Sequence, residues 1–528
     1  MTDEVQRLSP RKTAINYGAV VAGSSTEDEI TPLLEAMEDP KIGISTQTLV
    51  SSTGDTHKAR KVPQYVAALA VTLGAFALGN VLAWTSPAKK PLTEDNYDDS
   101  AQSWIGAAMA LGAAVVVIPI GFLMDKFGRK WTMLGLVLPF VGGWLLIIFG
   151  NSLAMFIAGR FIVGMTGGAF SLTAPVYTSE IAEKDIRGQL GSFFQLMVTI
   201  GILFVYVLGS FMELMWLSVV CGLVPIVFGV IFFFMPETPV QHMRCGREAE
   251  ARKSLQWFRG PDYDIDLEIR EIKDAVEKAE REKLSFSEAF STKAAKKAML
   301  ISMGLMLFQQ LSGVNAVIFY AGQIFTDAGS SLDSDISAII VGVVQVLATF
   351  VSSMVVDRLG RRILLLISDC VMAICSLLLG IFFYLKEDTK TDISAIGWLP
   401  LASLCIFIVV FSLGFGPIPW MIFGELFPSQ IKGSASSVAC LFNWILAFCV
   451  TKFFSDLSHA FGNGPTFWIF CGISTLGTVF VFFIVPETKG KSLEQIQREL
   501  GGESSELPSV SVNESQKKEW PSSNTEKY

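Results

Sequence analysis

The sequence predicts an all-α membrane protein of twelve transmembrane helices in two six-helix bundles. Three observations carry that prediction. The 528 residues are 51% hydrophobic and 17% charged, whereas a soluble chain carries about a quarter of its residues charged. The apolar residues fall in blocks of about twenty, the length a helix needs to cross a bilayer core. Finally, a short turn recurs: GFLMDKFGRK at 121–130 joins two apolar blocks, and DRLGRR at 357–362 joins two more. A tight acid–glycine–base connection repeated between membrane-length segments marks a duplicated membrane protein.

Taken in order, residues 1–61 are rich in Ser, Thr, Glu and Asp and are expected to be a disordered cytosolic tail. Within it Glu29, Leu33 and Leu34 form an acidic dileucine pattern that a sorting adaptor could read, although such short patterns also arise by chance. No cleavable leader opens the chain, so the first apolar block is read as a retained span. Six spans are expected at 64–86, 103–123, 131–149, 153–176, 191–211 and 215–235, filling an N-terminal bundle of residues 62–237. A second set is expected at 299–325, 336–356, 363–384, 396–423, 434–454 and 466–485, filling a C-terminal bundle of residues 298–487. Between them, 238–297 reads as a cytosolic, partly helical linker. Ile265, Ile269, Ile272 and Val276 recur on one helix face, a stripe that suits a brace between the halves better than a passive connection. Residues 488–528 read as a second disordered tail.

Basic residues in short loops set orientation. Lys126, Arg129 and Lys130, then Lys184 and Arg187, then Arg358, Arg361 and Arg362, then Lys432 all fall on one side. That side is expected to be the cytosol, with both termini in it. The eight cysteines show neither metal spacing nor a disulfide framework. No nucleophile motif, phosphate loop or nucleic-acid signature appears, so neither an enzyme nor a nucleic-acid partner is expected, and no cofactor.

The duplication extends beyond the turn. Glu180…Arg187-Gly188 after the fourth span matches Glu425…Lys432-Gly433 after the tenth, and Pro236-Glu-Thr matches Pro486-Glu-Thr. The acids Asp125, Glu180, Asp357 and Glu425 can pair with Arg129, Arg187, Arg361, Arg362 and Lys432. A ring of such pairs, breakable as a set, suits a cytosolic gate, where bases that only fixed topology would need no matching acids. Arg160, inside the fourth span, should face the bundle interior as a structural anchor or a substrate-side group.

The seventh span carries Gln309, Gln310 and Asn315 around Ser312-Gly313. Gln310 and Asn315 are five residues apart, about 140° around a straight helix, so a break near Gly313 would be needed to bring them together. The tenth span is interrupted at Gly416-Pro417-Ile418-Pro419, ahead of Trp420. Interrupted spans at matching positions point to a transport site near the midplane. Gln195, Gln345 and Asn443 add further amides. A lone amide in a span most simply bonds a neighbouring helix, but a group of amides with an indole suits a neutral polyhydroxyl substrate, a sugar.

These motifs together (DKFGRK with DRLGRR, GRFIVG, PVYTSEIA…RG, PETP, QQLSGVNAVIFY, GPIPW…GELFP, PETKGKSLE) resemble the sugar-porter branch of the major facilitator superfamily over about residues 64–494. SLQWFRGPDYD and AWTSPA look most like arthropod facilitated trehalose transporters. The resemblance implies the major facilitator fold, alternating access, a central sugar site at Gln195, Gln309, Gln310, Asn315, Gln345, Trp420 and Asn443, and an inner gate at the acids and bases above. The sequence departs from many glucose carriers of the branch at Gln345, Phe319, Ser412 and Val240. Proton-coupled relatives carry an acid in the first span, and 64–86 has none, so facilitative uniport of trehalose or a hexose at the cell membrane is expected. A proton-coupled symporter, a non-transporting sugar sensor and an endosomal or lysosomal location stand as alternatives.

Overall fold

The structure is a computed structural model, and it describes residues 59–281, 292–328, 333–387, 389, 396–427, 429–491 and 493–501. The dileucine Glu29, Leu33 and Leu34 lies outside them, as do the side chains of Asp357 and Lys432. The chain divides into two units. To the described residues the smaller contributes only Ala59 and the turn Asp262–Asp264, while the larger, Arg60–Pro261 with Ile265–Tyr528, holds every span.

Among the described residues twelve helices are long and apolar enough to cross a membrane: Val62–Glu94, Asp99–Phe127, Arg129–Ile148, Leu153–Ile181, Arg187–Gly209 and Leu214–Phe233 in the N half, and Lys293–Phe319, Ser334–Val356, Arg361–Glu387, Leu399–Ile422, Ala435–Phe461 and Asn463–Ile484 in the C half. Local chemistry sets their ends. The side chains of Asp98, Ser152 and Thr292 accept hydrogen bonds from Ala101 N, Met155 N and Ala295 N, capping spans two, four and seven. Gly128 and Gly360 sit at φ +90° and +95°, where residues with a side chain are strained, and each turns the chain sharply between two spans.

Several ends differ from the sequence expectation. The first span is interrupted for one residue at Trp84 and continues as Thr85–Glu94, so the loop expected to begin at residue 87 shrinks to a few residues. The tail expected to be disordered from residue 488 instead forms a helix, Leu493–Gly501. Its Ile496 and Leu500 are buried against spans seven and ten, because polar spacing hid two apolar positions four apart. Among its described residues the linker holds three helices, Pro239–Arg244, Glu248–Arg259 and Asp266–Arg281. Their described bonds run to the N half: Arg259 donates to Ile181 O at 2.9 Å and pairs with Glu268, and Lys184 pairs with Glu271 at 3.0 Å.

Small residues let the spans approach closely. A Cβ at Gly164 would collide with the Met109 carbonyl, and one at Gly112 with the Phe161 carbonyl, locking spans two and four together. The halves meet chiefly along span two on eleven and span five on eight, with span seven also touching span one. Gly164→Ala is expected to lower stability in a thermal-melting assay by about 1–3 kcal/mol through overpacking. Gly142→Ala, which meets open space, should stay within about 0.5 kcal/mol of wild type.

Candidate functional site

The seventh span is broken as its sequence suggests. Its helix Lys293–Leu311 ends at Ser312, Gly313 takes φ +91°, and Val314–Phe319 resumes on a new axis. The break carries Asn315 back to Gln310, to whose Oε1 it donates. From there the bonds run on without interruption. Gln310 Nε2 donates to Asn443 Oδ1 at 2.9 Å, and Asn443 Nδ2 donates to Gln309 Oε1 at 2.8 Å. Gln309 Nε2 donates to the carbonyls of Phe415 and Gly416, at 2.6 and 3.1 Å. Those carbonyls are freed because the tenth span is itself broken between Leu413 and Ile418. Four amides on spans seven and eleven are thus threaded onto the unwound backbone of span ten, and all four are buried.

The other expected site residues lie apart from this chain. Gln345, on span eight, is buried and makes no hydrogen bond among the described residues. Gln195, on span five, is half-buried, and Trp420 is half-buried on the helix Ile418–Leu426 that follows the span-ten break. Arg160 is no part of the group. It is fully buried and donates to Val81 O at 2.7 Å, to Ile105 O at 3.2 Å and to Thr85 Oγ1 at 3.0 Å, with its guanidinium over the Trp84 ring. It therefore ties span four to spans one and two beside Trp84, the structural anchor of the two readings.

The charged turns form two matching knots. In the N half Arg129 pairs with Glu180 at 3.0 Å, Thr238 Oγ1 donates to Glu180 Oε2 at 2.6 Å, and Glu237 accepts from Lys130 N at 2.9 Å and from Thr238 N at 2.9 Å. In the C half Arg361 pairs with Glu425 at 2.9 Å, Thr488 Oγ1 donates to Glu425 Oε2 at 2.5 Å, and Glu487 accepts from Arg361 N and Arg362 N at 3.0 and 3.1 Å. Sequence reasoning found the Arg–Glu pairs but missed Glu237, Thr238, Glu487 and Thr488 as members. Their signal was the repeated Pro-Glu-Thr.

Two expectations of the gate are corrected. The observed ion pairs tie turns within each half rather than bridging the halves, because the partner acids lie on the same bundle one span away. Arg187 and Arg362 make no ion pair among the described residues: Arg187 donates to Ala182 O at 3.3 Å, and Arg362 donates to Phe482 O and lies over the Phe482 ring. Asp125 instead meets Arg244 at 3.0 Å and Arg129 at 3.6 Å.

Contacts between the halves gather at the opposite end. His459 Nε2 lies 3.1 Å from Asp99 Oδ2, Tyr206 Oη donates to Ile318 O at 2.7 Å, Gly322 N donates to Ser86 Oγ at 3.4 Å, and Lys452 lies over Trp104.

Comparison with known proteins places this geometry. Residues 66–500 match the family described as "Sugar (and other) transporter". The chain belongs to that family. It is 45% identical to a facilitated trehalose transporter, Tret1, of Aedes aegypti over 85% of this chain and 56% of that protein. The Tret1 of Culex quinquefasciatus is 44% identical over 86% of this chain and 91% of its own length. Among solved structures, the proton:xylose symporter XylE bound to 6-bromo-6-deoxy-D-glucose superposes with a TM-score of 0.69 at 25% identity, covering 83% of this chain and 99% of that one. The fold is therefore that of the major facilitator sugar transporters, and the family is one of transporters rather than enzymes.

The two knot carboxyls shift in opposite directions. Desolvation raises Glu237, against the N–H groups of Thr238 and Lys130. At Glu487 desolvation is outweighed by the N–H groups of Lys489, Arg361, Arg362 and Thr488, and the net shift is downward from 4.5. A lowered carboxyl stabilises the fold above its ordinary pKa and loses that contribution as pH falls through the lowered value. Glu487→Gln should therefore melt below wild type at about pH 7, with the gap closing towards about pH 3. Glu180→Ala strands the buried Arg129 and should cost about 3–5 kcal/mol in the same assay, with Glu425→Ala less severe because its pair is more exposed.

Proposed function

We propose that this protein is a facilitative carrier of a neutral sugar, trehalose or a hexose, working by alternating access as a uniporter. The observation that carries the reading is the amide chain Asn315–Gln310–Asn443–Gln309 strung across two broken spans. Each amide can exchange a protein partner for a sugar hydroxyl, since carboxamides both donate and accept. Such an exchange trades hydrogen bonds nearly one for one, so a sugar could bind without stranding buried polar atoms. Gln345 and Trp420, and across the bundle Gln195, complete the site in this reading.

Alternating access follows from where the halves touch. The end holding Asp99–His459 and Tyr206–Ile318 is closed in this conformation, while at the charged-turn end the ion pairs belong to separate halves. We take the charged-turn end as cytosolic on the strength of its Lys and Arg, which puts both termini inside and the closed end outside, in the cell membrane. The knots then keep each half rigid as it rocks. Residues 62–237 and 298–487 would be the moving bodies, with linker 238–297 carried on the first.

Uniport rests on Arg160. Its donors face two carbonyls, a hydroxyl and an aromatic ring, not a carboxylate on the first span that could exchange a proton with it. The curated relatives are named as facilitated trehalose transporters, in line with this reading, whereas XylE is named as a proton symporter.

The test is uptake of labelled trehalose and glucose into vesicles holding the purified protein, with and without a proton gradient. Saturable uptake of at least one sugar is expected, with no accumulation driven by the gradient. Gln310→Ala and Asn315→Ala should each reduce kcat/KM by about tenfold, the worth of one well-placed hydrogen bond. Uptake that tracks the proton gradient would overturn uniport, and full uptake by the double variant would overturn the site.

A further inference from the structure

One ionisable group inside the spans has no part in either the amide chain or the knots. Asp369 lies on span nine, fully buried, and neither carboxyl oxygen has a hydrogen-bond partner among the described residues. Its surroundings are shaped to receive it. Gly477 on span twelve presents bare backbone to the carboxyl, and any Cβ there would run into Asp369 Oδ2 and press on Phe308 of span seven. Phe308 directly precedes Gln309 and Gln310. The neighbouring Ser368 Oγ accepts from Phe415 N at 3.3 Å, holding the span-ten break from the side opposite Gln309. The carboxyl thus sits between the continuous spans nine and twelve and the two broken ones.

We infer that Asp369 is a proton-binding site, loaded from the charged-turn side, whose occupancy steadies the C half in the present conformation. This goes beyond the sugar reading and does not depend on which sugar is carried. An ionised carboxylate with no cation and no donor, fully buried inside a membrane bundle, is an expensive arrangement, and binding a proton removes the charge. The elements packed against it offer no substitute counter-charge. Span twelve has no charged residue over Asn463–Ile484, only Cys471. Span ten brings Cys405 and Glu425, the latter engaged by Arg361 and Thr488. Span seven brings Lys293, Lys296 and Lys297 at its exposed start, and span eight has Asp335, Asp357 and Arg358 at its two ends. On its own helix the Arg361 side chain is engaged by Glu425 and the Arg362 side chain by the Phe482 carbonyl and ring, both at the charged-turn end, Lys386 and Glu387 lie at the far end, and Cys370 and Cys375 are thiols.

Access is one-sided. Asp369 lies eight residues after Arg361, about 12 Å along the helix, and eighteen before Glu387, about 27 Å. A proton that enters and leaves by the nearer end does not cross the membrane, so it sets the conformational balance without being carried with sugar. When the broken spans shift and the carboxyl meets water, the proton leaves. Alkaline pH on the charged-turn side then disfavours the present conformation.

Infrared difference spectroscopy of the lipid-reconstituted full chain, between acidic and alkaline buffer, reads the site without any sugar. Wild type should show a protonated-carboxyl C=O band that disappears on alkalinisation and is missing in Asp369→Asn. Identical spectra for the two proteins would overturn the assignment. Should Asp369→Asn fail to reach the membrane, Gly477→Ala pushes on Oδ2 and should displace the band, and an unmoved band would overturn it equally. In vesicles with pH clamped on both sides, sugar exchange by wild type should change about threefold as the charged-turn side is made alkaline, and Asp369→Asn should stay flat. Sugar-driven proton movement lost in Asp369→Asn would overturn the one-sided access. A protein that moves no sugar yet shows the band would sink the substrate reading and leave this one standing.

Discussion

Two carboxylates hold this architecture at its charged end. Glu237 and Glu487 each stand at the close of a six-span half and reach back to the backbone N–H groups that follow a left-handed glycine, Gly128 or Gly360. At those positions the first N–H groups of a helix have no partner within their own helix, and the helix dipole favours an anion. Next to each carboxylate, Thr238 or Thr488 passes a hydrogen bond to Glu180 or Glu425, which holds Arg129 or Arg361. Three spans of each half are fastened at one point, and the glycine is required because a Cβ would collide with the glutamate. The rest of the molecule, including the broken spans, can deviate from regular helix because these corners do not.

Much of this was legible in the residues. Span number, the duplication and both helix breaks follow from apolar length, repeated motifs and Gly or Pro at fixed places, all local signals. The amide group was readable because polar side chains inside a span must find partners. What could not be read is which partner each one takes. Arg160 looked equally fit for anchor or substrate contact, and only the position of the Val81 and Ile105 carbonyls decides it. Of the acids and bases named for the gate, Arg129–Glu180 and Arg361–Glu425 form ion pairs while Arg187 and Arg362 form none among the described residues, and sequence, which carries no distance, could not tell these apart. The final helix, Leu493–Gly501, was missed because its buried face is just Ile496 and Leu500 within a polar stretch.

The two halves share a frame but not a distribution of linked amides. The four linked amides belong to the C half, and the N half holds Gln195. The same asymmetry appears in the breaks, which unwind spans seven and ten, while in the N half the interruptions at Trp84 and Leu136 are single residues that keep helical dihedrals. Unwound backbone within a bilayer needs side chains to occupy its carbonyls and N–H groups, and Gln309 and Ser368 supply them on either side of Phe415. Polar character and irregular backbone therefore come together, each making the other tolerable.

The seam between the halves is made of modest parts: one imidazole–carboxylate contact, one phenol hydroxyl, one serine hydroxyl and a lysine over an indole. The exposed imidazole–carboxylate contact is worth about 1 kcal/mol or less, and the buried bond of Tyr206 contributes about 1 kcal/mol as a neutral hydrogen bond. No single member commands the closure, so thermal motion can undo them in succession, and the time spent shut is graded rather than all-or-none. Natural variation at these positions would then adjust turnover speed by small steps while leaving cargo selection untouched.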